Sequence, residues 1–170
     1  MNKPLPTKEE LQKLFRLDLC GVLVWRARGS KRWDTRYAGQ PAGHKRKDGR
    51  IQVEIKGHGR MFYAHQIIWK MVHGTEAPEI DHLDVDGLNN DPSNLRECNH
   101  SLNAANTKLK SNNSSGFKGV SYRSDRGKWR ARIMVERKEM HLGFFDCKEL
   151  AHQAYSIAAI KHFGEFARAA

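Results

Sequence analysis

The sequence predicts an α+β protein made of two parts. In the first half of the 170-residue chain, strand-like runs alternate with short helical segments. In the second half, residues 128–135 alternate apolar side chains with mostly basic ones, which is typical of a strand with one buried face. We therefore expect a mixed domain followed by a three-stranded antiparallel sheet packed on one helix. The strand-like runs of the first half are residues 21–25, 50–55 and 60–63.

The first half contains signals for two helices and one hairpin. Thr7 and Glu10 have the spacing of a capping box, and an apolar stripe at residues 11–15 follows them. A Gly-His-Gly turn joins the second and third strand-like runs, which suits a tight hairpin. Residues 64–72 place apolar side chains at helical spacing before Gly74. This helix is expected to pack beneath the hairpin.

The second half is predicted to be a three-stranded meander on a helix. The strand at 128–135 has strand-like neighbours at 117–123 and 140–144, each reached across a short polar turn. Asp146 and Glu149 mark a helix start, and small alanines follow on one stripe. Those alanines let the helix lie close to the apolar face of the sheet, which leaves the basic face open.

A polar stretch without apolar periodicity separates the two halves and is typical of a linker. We predict a first domain at residues 1–110, a linker at 111–116 and a second domain at 117–170.

The charge of the chain predicts a polyanionic partner. Lys and Arg number 30 against 19 Asp and Glu, which gives a formal net charge of +11. A field of this sign attracts phosphate groups. No apolar run approaches the roughly 18 residues of a membrane helix, and the first residues lack the apolar stretch of a secretory signal. The three cysteines are far apart and odd in number, which argues against a disulfide framework and against a four-cysteine zinc site. We expect an intracellular protein that has no membrane partner.

Residues 79–103 carry the most chemical information. They predict a strand ending at Asp81 and His82, a Gly/Asn-rich loop, then Asn94 and a helix that bears Asn103. Oxygens of Asp81 and Asn103 are hard ligands suited to Mg²⁺ or Mn²⁺. His82 is placed to take a proton from water attacking a phosphodiester.

These residues resemble the HNH endonuclease motif of phage homing endonucleases, a ββα-metal fold. The pattern Asp-His, eleven residues, Asn-Leu, seven residues, Asn is matched without a gap, and the resemblance covers roughly residues 35–108. It implies that Asp81 and Asn103 bind the metal and that His82 is the general base. Asn94 would orient the His82 ring or steady the loop. His100 and Asn106 are alternatives to Asn103, because the last letter of the motif is often His.

The second half resembles the Apetala2/ethylene-response-factor DNA-binding domain, a three-stranded sheet on one helix. In that family the sheet enters the major groove of duplex DNA. If the DNA contacts of that family are carried over by position, five cations would meet phosphates or base edges: Arg123, Arg126, Lys128, Arg130 and Arg132. Ser121 and Arg126 differ from the usual arginine and tryptophan of plant members, so the plant target sequence is not transferred. The matching stretches are residues 115–120, 127–133, 141–145 and 151–167.

Other residues have a structural interpretation beside a functional one. His65 is expected to be a packing or helix-start residue, and Asp84 and Asp86 are expected to form turns. For residues 45–47, a solvated surface and a contact to backbone phosphate are equally favoured.

The sequence therefore predicts a metal-dependent DNA endonuclease, phage-encoded and of homing type, that acts in the host cytoplasm. The alternatives are a non-catalytic, sequence-specific DNA-binding regulator and, less favoured, an RNA-binding protein. One HNH site in a monomer would nick one strand, whereas double-strand cleavage needs a dimer or a second event, and the oligomeric state stays open.

Overall fold

A computed structural model describes residues 4–109 and 111–168. Contacts divide the chain into two compact units, Met1–Cys98 and Asn99–Ala170. The predicted linker at 111–116 lies inside the second unit, so its role as a domain boundary stays a prediction. Parts of the predicted domains, residues 1–3, 110 and 169–170, lie outside the described residues.

The first unit begins with the predicted capped helix, α1 (Lys8–Leu14). The Thr7 hydroxyl accepts from the Glu10 N–H at 3.3 Å, and the Thr7 N–H donates to the Glu10 carboxylate at 2.9 Å. Both arms of the capping box are therefore present. The helix stops before Phe15, because Phe15 starts β1 (Phe15–Leu17), which pairs antiparallel with β2 (Leu23–Trp25).

Strand β1 and two further elements before β4 were not predicted. Helix α2 (Lys31–Tyr37) has no buried residue, and β3 (His44–Lys45) is only a two-residue edge strand. The predicted hairpin is confirmed: β4 (Ile51–Glu54) lies between β3 and β5 (Met61–Tyr63).

The second predicted helix of this unit is confirmed as α3 (Ala64–His73), which ends at Gly74. Gly74 has a φ of 81°, the left-handed conformation in which glycine commonly terminates a helix. The helix packs on β4 and β5 of the hairpin. Its apolar face supplies much of the core, where the largest fully buried side chains are Leu11, Phe15, Val53, Phe62, Ile67 and Ile68.

Downstream of α3, the first unit ends in an antiparallel strand pair. Strand β6 (Glu79–His82) pairs with β7 (Leu95–Cys98), and a short 3₁₀ turn at Pro92–Asn94 leads into β7. This pair places the candidate catalytic residues.

The second unit starts with α4 (His100–Asn106), whose N-cap Asn99 accepts from the Leu102 N–H at 3.0 Å. The predicted meander follows as β8 (Val120–Arg123), β9 (Lys128–Val135) and β10 (Lys138–Phe145) in the order β10-β9-β8. Helix α5 (Lys148–Phe163) packs on this sheet. It begins later than expected, because Cys147 rather than Asp146 is the N-cap and its side chain makes no capping bond.

The packing of α5 on the sheet depends on small residues. Ala151 and Ala159 are almost fully buried under Ala131 and Ile133 of β9. Gly119 has a φ of 66°, and a Cβ there would collide with the Arg132 carbonyl and the Tyr155 ring. The sheet therefore turns its apolar face to the helix and its basic face away from it, as the alternating pattern predicts.

No helix within the described residues combines the length and apolar character required to cross a membrane.

Candidate active site

The β6–β7 pair brings three of the predicted site residues together. Asp81 and His82 end β6, while Asn94 directly precedes β7. In the strand register, Asp81 faces Arg96 and His82 faces Leu95. Asp81, His82 and Asn94 are all buried, at 5%, 6% and 9% exposure. Buried polar side chains require partners, and the partners define the site.

Asp81 is held by an arginine across the strand pair. Arg96 donates from Nε and Nη2 to the Asp81 Oδ2 atom, at 2.9 and 2.8 Å. The Arg96 side chain is 13% exposed and that of Asp81 6%, so this is a largely buried ion pair. Two charge-assisted bonds fix the orientation of the Asp81 carboxylate.

The His82 ring is oriented by Asn90, a residue that the sequence did not single out. The His82 Nε2 atom lies 3.1 Å from Asn90 Oδ1, and the amide group of Asn90 donates to the Leu88 carbonyl at 3.2 Å. That second bond points Oδ1 at the imidazole. The arrangement favours the tautomer that carries its proton on Nε2 and makes Nδ1 the basic nitrogen.

Asn94 steadies the loop that follows His82. Its amide group donates to the Asp84 Oδ1 atom at 3.0 Å and to the Asn89 carbonyl at 2.8 Å. Its Oδ1 atom accepts from the Asp84 N–H at 3.1 Å. These bonds support the second of the two roles considered for Asn94.

Asp84 and Asp86 make the turn contacts that the sequence favours. Asp84 accepts from the Asp86 N–H at 2.8 Å, and Asp86 accepts from the Leu88 N–H at 3.0 Å. Burial raises the pKa of Asp84, but the Asp86 N–H and the Asn89 and Asn94 amides outweigh it and lower the pKa overall.

Between Asp84 and Asp86, Val85 has a φ of 62°, a strained value for a β-branched residue. Such strain persists only where surrounding contacts impose it.

A ladder of rings connects the β5–α3 junction to His82. The Tyr63 ring stacks on His65 with centroids 5.3 Å apart, and His65 meets the His82 ring edge-on at 5.3 Å. His65 is buried, which lowers its pKa to about 3, with smaller contributions from His82 and Arg50. His65 is therefore a neutral packing partner of His82 at physiological pH.

The fourth predicted residue, Asn103, lies on α4 of the second unit. Its N–H donates to the Asn99 carbonyl at 3.0 Å. His100 begins the same helix, and Asn106 ends it as a buried residue. The role of Asn103, and of these two alternatives, stays a prediction.

The five predicted DNA-binding cations lie on the sheet of the second unit and its first turn, and each has a carboxylate partner. Arg130 and Arg132 both contact Glu139, with 3.8 Å between Arg130 Nη1 and Glu139 Oε1. The other pairs are Arg123 with Asp125 at 2.9 Å, Arg126 with Asp125 at 4.0 Å and Lys128 with Asp146 at 3.1 Å.

The donor set suits a hard divalent cation with few protein ligands. Among the described residues, no group of three or more His, Cys, Asp and Glu side chains is arranged as a metal centre. Mg²⁺ is bound in proteins by one or two carboxylates and retains several waters. Asp81, with its carboxylate fixed by Arg96, has the chemistry of such a ligand.

Two comparisons with known proteins bear on this site. A family model for HNH endonuclease matches residues 62–105. Protein 3.8 of Escherichia phage T7 is 32% identical over 106 residues, which is 61% of this chain and 87% of that protein. The chain belongs to the Protein 3.8 family and carries an HNH endonuclease domain.

The HNH domain contains every residue of the motif predicted from the sequence. It runs from β5 through α3 and the β6–β7 pair to α4, so it includes Asp81, His82, Asn94 and Asn103. The resemblance to HNH endonucleases is thereby confirmed at the level of the family, and the individual roles of these residues stay predictions.

Proposed function

We propose that the protein is a metal-dependent DNA endonuclease of the homing type that hydrolyses phosphodiester bonds in duplex DNA. The observation that carries this proposal is the His82 imidazole, buried at the end of β6 directly after Asp81 in the chain and oriented through Nε2 by Asn90. This geometry lies inside the segment that matches the HNH family. The T7 relative supports a phage origin, and therefore action in the host cytoplasm.

His82 acts as the general base in this proposal. Its Nδ1 atom takes the proton from the water that attacks phosphorus, and the Asn90 bond stabilises the imidazolium that forms. Asn94 is a positioning residue, because its three bonds fix the loop that begins after His82.

Asp81 and Asn103 would hold Mg²⁺ or Mn²⁺, since HNH nucleases generally use divalent metal ions. When bound, the cation stabilises the charge that develops on the phosphate and on the leaving oxygen. Arg96 fixes the orientation of the Asp81 carboxylate before any cation binds.

Residues 117–170, within the second unit, are proposed to form an Apetala2/ethylene-response-factor-like domain that targets the nuclease. A three-stranded antiparallel sheet on one helix, with its cations on the face away from that helix, supports this assignment. Because those cations are paired with Asp125, Glu139 and Asp146, DNA phosphates would replace carboxylates as their partners.

Relaxation of supercoiled plasmid tests the proposed activity. With Mg²⁺ or Mn²⁺ we expect nicked or linear product, and a chelator should abolish it. DNA from the host and from the phage should be included, because the activity is proposed to be directed by sequence. Tight binding without cleavage on all of these substrates would favour the non-catalytic regulator instead.

Neutralising two arginines on the sheet tests the proposed targeting domain. The Arg130→Gln/Arg132→Gln variant should bind DNA more weakly, and the slope of log K against log salt should fall by about 2. The Glu139→Gln variant should bind more tightly, because both arginines lose their intramolecular competitor. Fluorescence anisotropy over a salt series measures both, and an unchanged slope would remove this face from the interface.

A further inference from the structure

The turn between β3 and β4 is a compact, exposed and strongly basic element. Residues 45–50 read Lys-Arg-Lys-Asp-Gly-Arg, and all except Gly49 are exposed. Arg46 donates its N–H to the Arg50 carbonyl at 2.8 Å, and the Asp48 side chain accepts from the Arg50 N–H at 3.1 Å. The turn is therefore ordered by its own hydrogen bonds and needs no partner to form.

The turn lies against the loop that follows His82. A Cβ added to Gly87 would come within 3.2 Å of the Arg50 Cγ atom and 3.4 Å of the Gly49 carbonyl oxygen. Gly87 belongs to the loop bounded by His82 and Asn94. The basic turn and the HNH loop are thus neighbours within the first unit.

Aromatic rings link the same turn to the imidazole itself. The Arg46 and Arg50 guanidinium groups lie 5.8 and 5.6 Å from the Tyr63 ring centroid. Tyr63 is the first ring of the ladder that continues through His65 to His82. A guanidinium over an aromatic face keeps its N–H fork available for a phosphate.

The charge of this turn is less neutralised than that of the sheet in the second unit. Within the described ranges, Arg46 contacts Asp48 at 3.4 Å, while Lys45, Lys47 and Arg50 have no carboxylate at ion-pair distance. On the sheet, all five predicted DNA-binding cations have such a partner. Phosphates would meet the turn with little competition from the protein.

We propose that Arg46 and Arg50 bind backbone phosphates of the DNA strand that is cut, next to the phosphodiester presented to His82. This contact rests on the proposed nuclease function and adds a second DNA surface to it, on the catalytic unit itself. The sheet of the second unit would select the site, and the turn would hold the strand at the reaction centre.

The salt dependence of DNA binding tests the turn without any need for cleavage. In the presence of chelator, the Arg46→Gln/Arg50→Gln variant should bind duplex DNA more weakly, with a salt slope lower by about 2. Arg60→Gln is the matched control, because Arg60 is an exposed cation over the Phe62 ring on the other turn of the same sheet. It should leave the slope unchanged. A slope for the double variant equal to that of Arg60→Gln would overturn the proposal.

A loss of DNA binding caused by the missing charges must be distinguished from one caused by altered packing, because Arg46 and Arg50 also contact the Tyr63 ring. The Arg46→Lys/Arg50→Lys variant keeps both charges and should retain most of the salt slope. If the lysine variant loses as much of the slope as the glutamine variant, the arginines act only by packing on Tyr63, and the proposal is wrong.

A neutral methylphosphonate placed at single positions along the DNA locates the contact. A methylphosphonate near the cut position should weaken DNA binding by the wild type. It should weaken binding by the Arg46→Gln/Arg50→Gln variant little further, because that variant has already lost the contact. If the methylphosphonate effect depends on Arg46 and Arg50 only at positions remote from the cut, the arginines do not bind the phosphates next to His82. If the wild type cuts no DNA, the nuclease proposal fails, whereas the salt slopes still report whether the turn binds phosphate.

Discussion

Replacement of His82 by alanine is expected to slow metal-dependent DNA cleavage by about 10²- to 10⁴-fold, the usual contribution of a general base. The imidazole is buried and is bonded to Asn90. The substitution removes the proton acceptor but none of the lysines and arginines that are proposed to contact phosphate. DNA affinity measured in chelator should therefore be unchanged.

Single-turnover nicking of supercoiled plasmid measures the effect of His82→Ala. His73→Ala is a suitable control, since His73 is exposed in the last turn of α3. Asn90→Ala leaves the imidazole in place but removes the acceptor at Nε2, so its rate should lie between those of the wild type and His82→Ala. Cleavage retained by His82→Ala, in a preparation free of contaminating nuclease, would exclude His82 as the base.

Elements that depend on local signals could be predicted from the sequence. The capping box at Thr7, the alternation in β9 and the glycine after α3 each act within a few residues, and each is present in the structure. Helix α2 was missed because it buries none of its residues, so it has no apolar stripe. Its Trp33 instead packs edge-on against Trp25 of β2, a contact between elements that no local pattern predicts.

The site was predicted only as far as its spacing along the chain. The positions of Asp81, His82 and Asn94 indicated the motif, but their partners depend on strand register and loop geometry. Arg96 reaches Asp81 because the β6–β7 register places them opposite each other. Asn90 reaches His82 because the Asn94 bonds fix the loop. On the sheet, β10 brings Glu139 to Arg130 and Arg132, which converts an open basic face into a paired one.

Removal of Arg96 is expected to give the largest loss of stability. Arg96→Met should lower the free energy of unfolding by about 3–5 kcal/mol, because it leaves the Asp81 carboxylate buried without its cation. The pair is largely buried, and two Arg96 nitrogens, Nε and Nη2, meet the same carboxylate oxygen. Urea unfolding in chelator, followed by tryptophan fluorescence, measures the change, and Trp25, Trp33 and Trp69 report on the first unit.

An arginine-to-methionine substitution at an exposed ion pair shows how much of the stability loss comes from burial rather than from charge alone. Arg123→Met breaks a two-bond pair with Asp125 whose side chains are 44% and 52% exposed, so it should cost far less stability than Arg96→Met, because solvent screens an exposed ion pair. Adding Asp81→Asn to Arg96→Met should recover part of the loss, because a neutral amide is cheaper to bury than a carboxylate that has lost its cation. Equal losses for Arg96→Met and Arg123→Met would mean that the Asp81 pair contributes no more than a surface ion pair. Arg96 would then serve to orient Asp81 for chemistry, and its loss would appear in the cleavage rate alone.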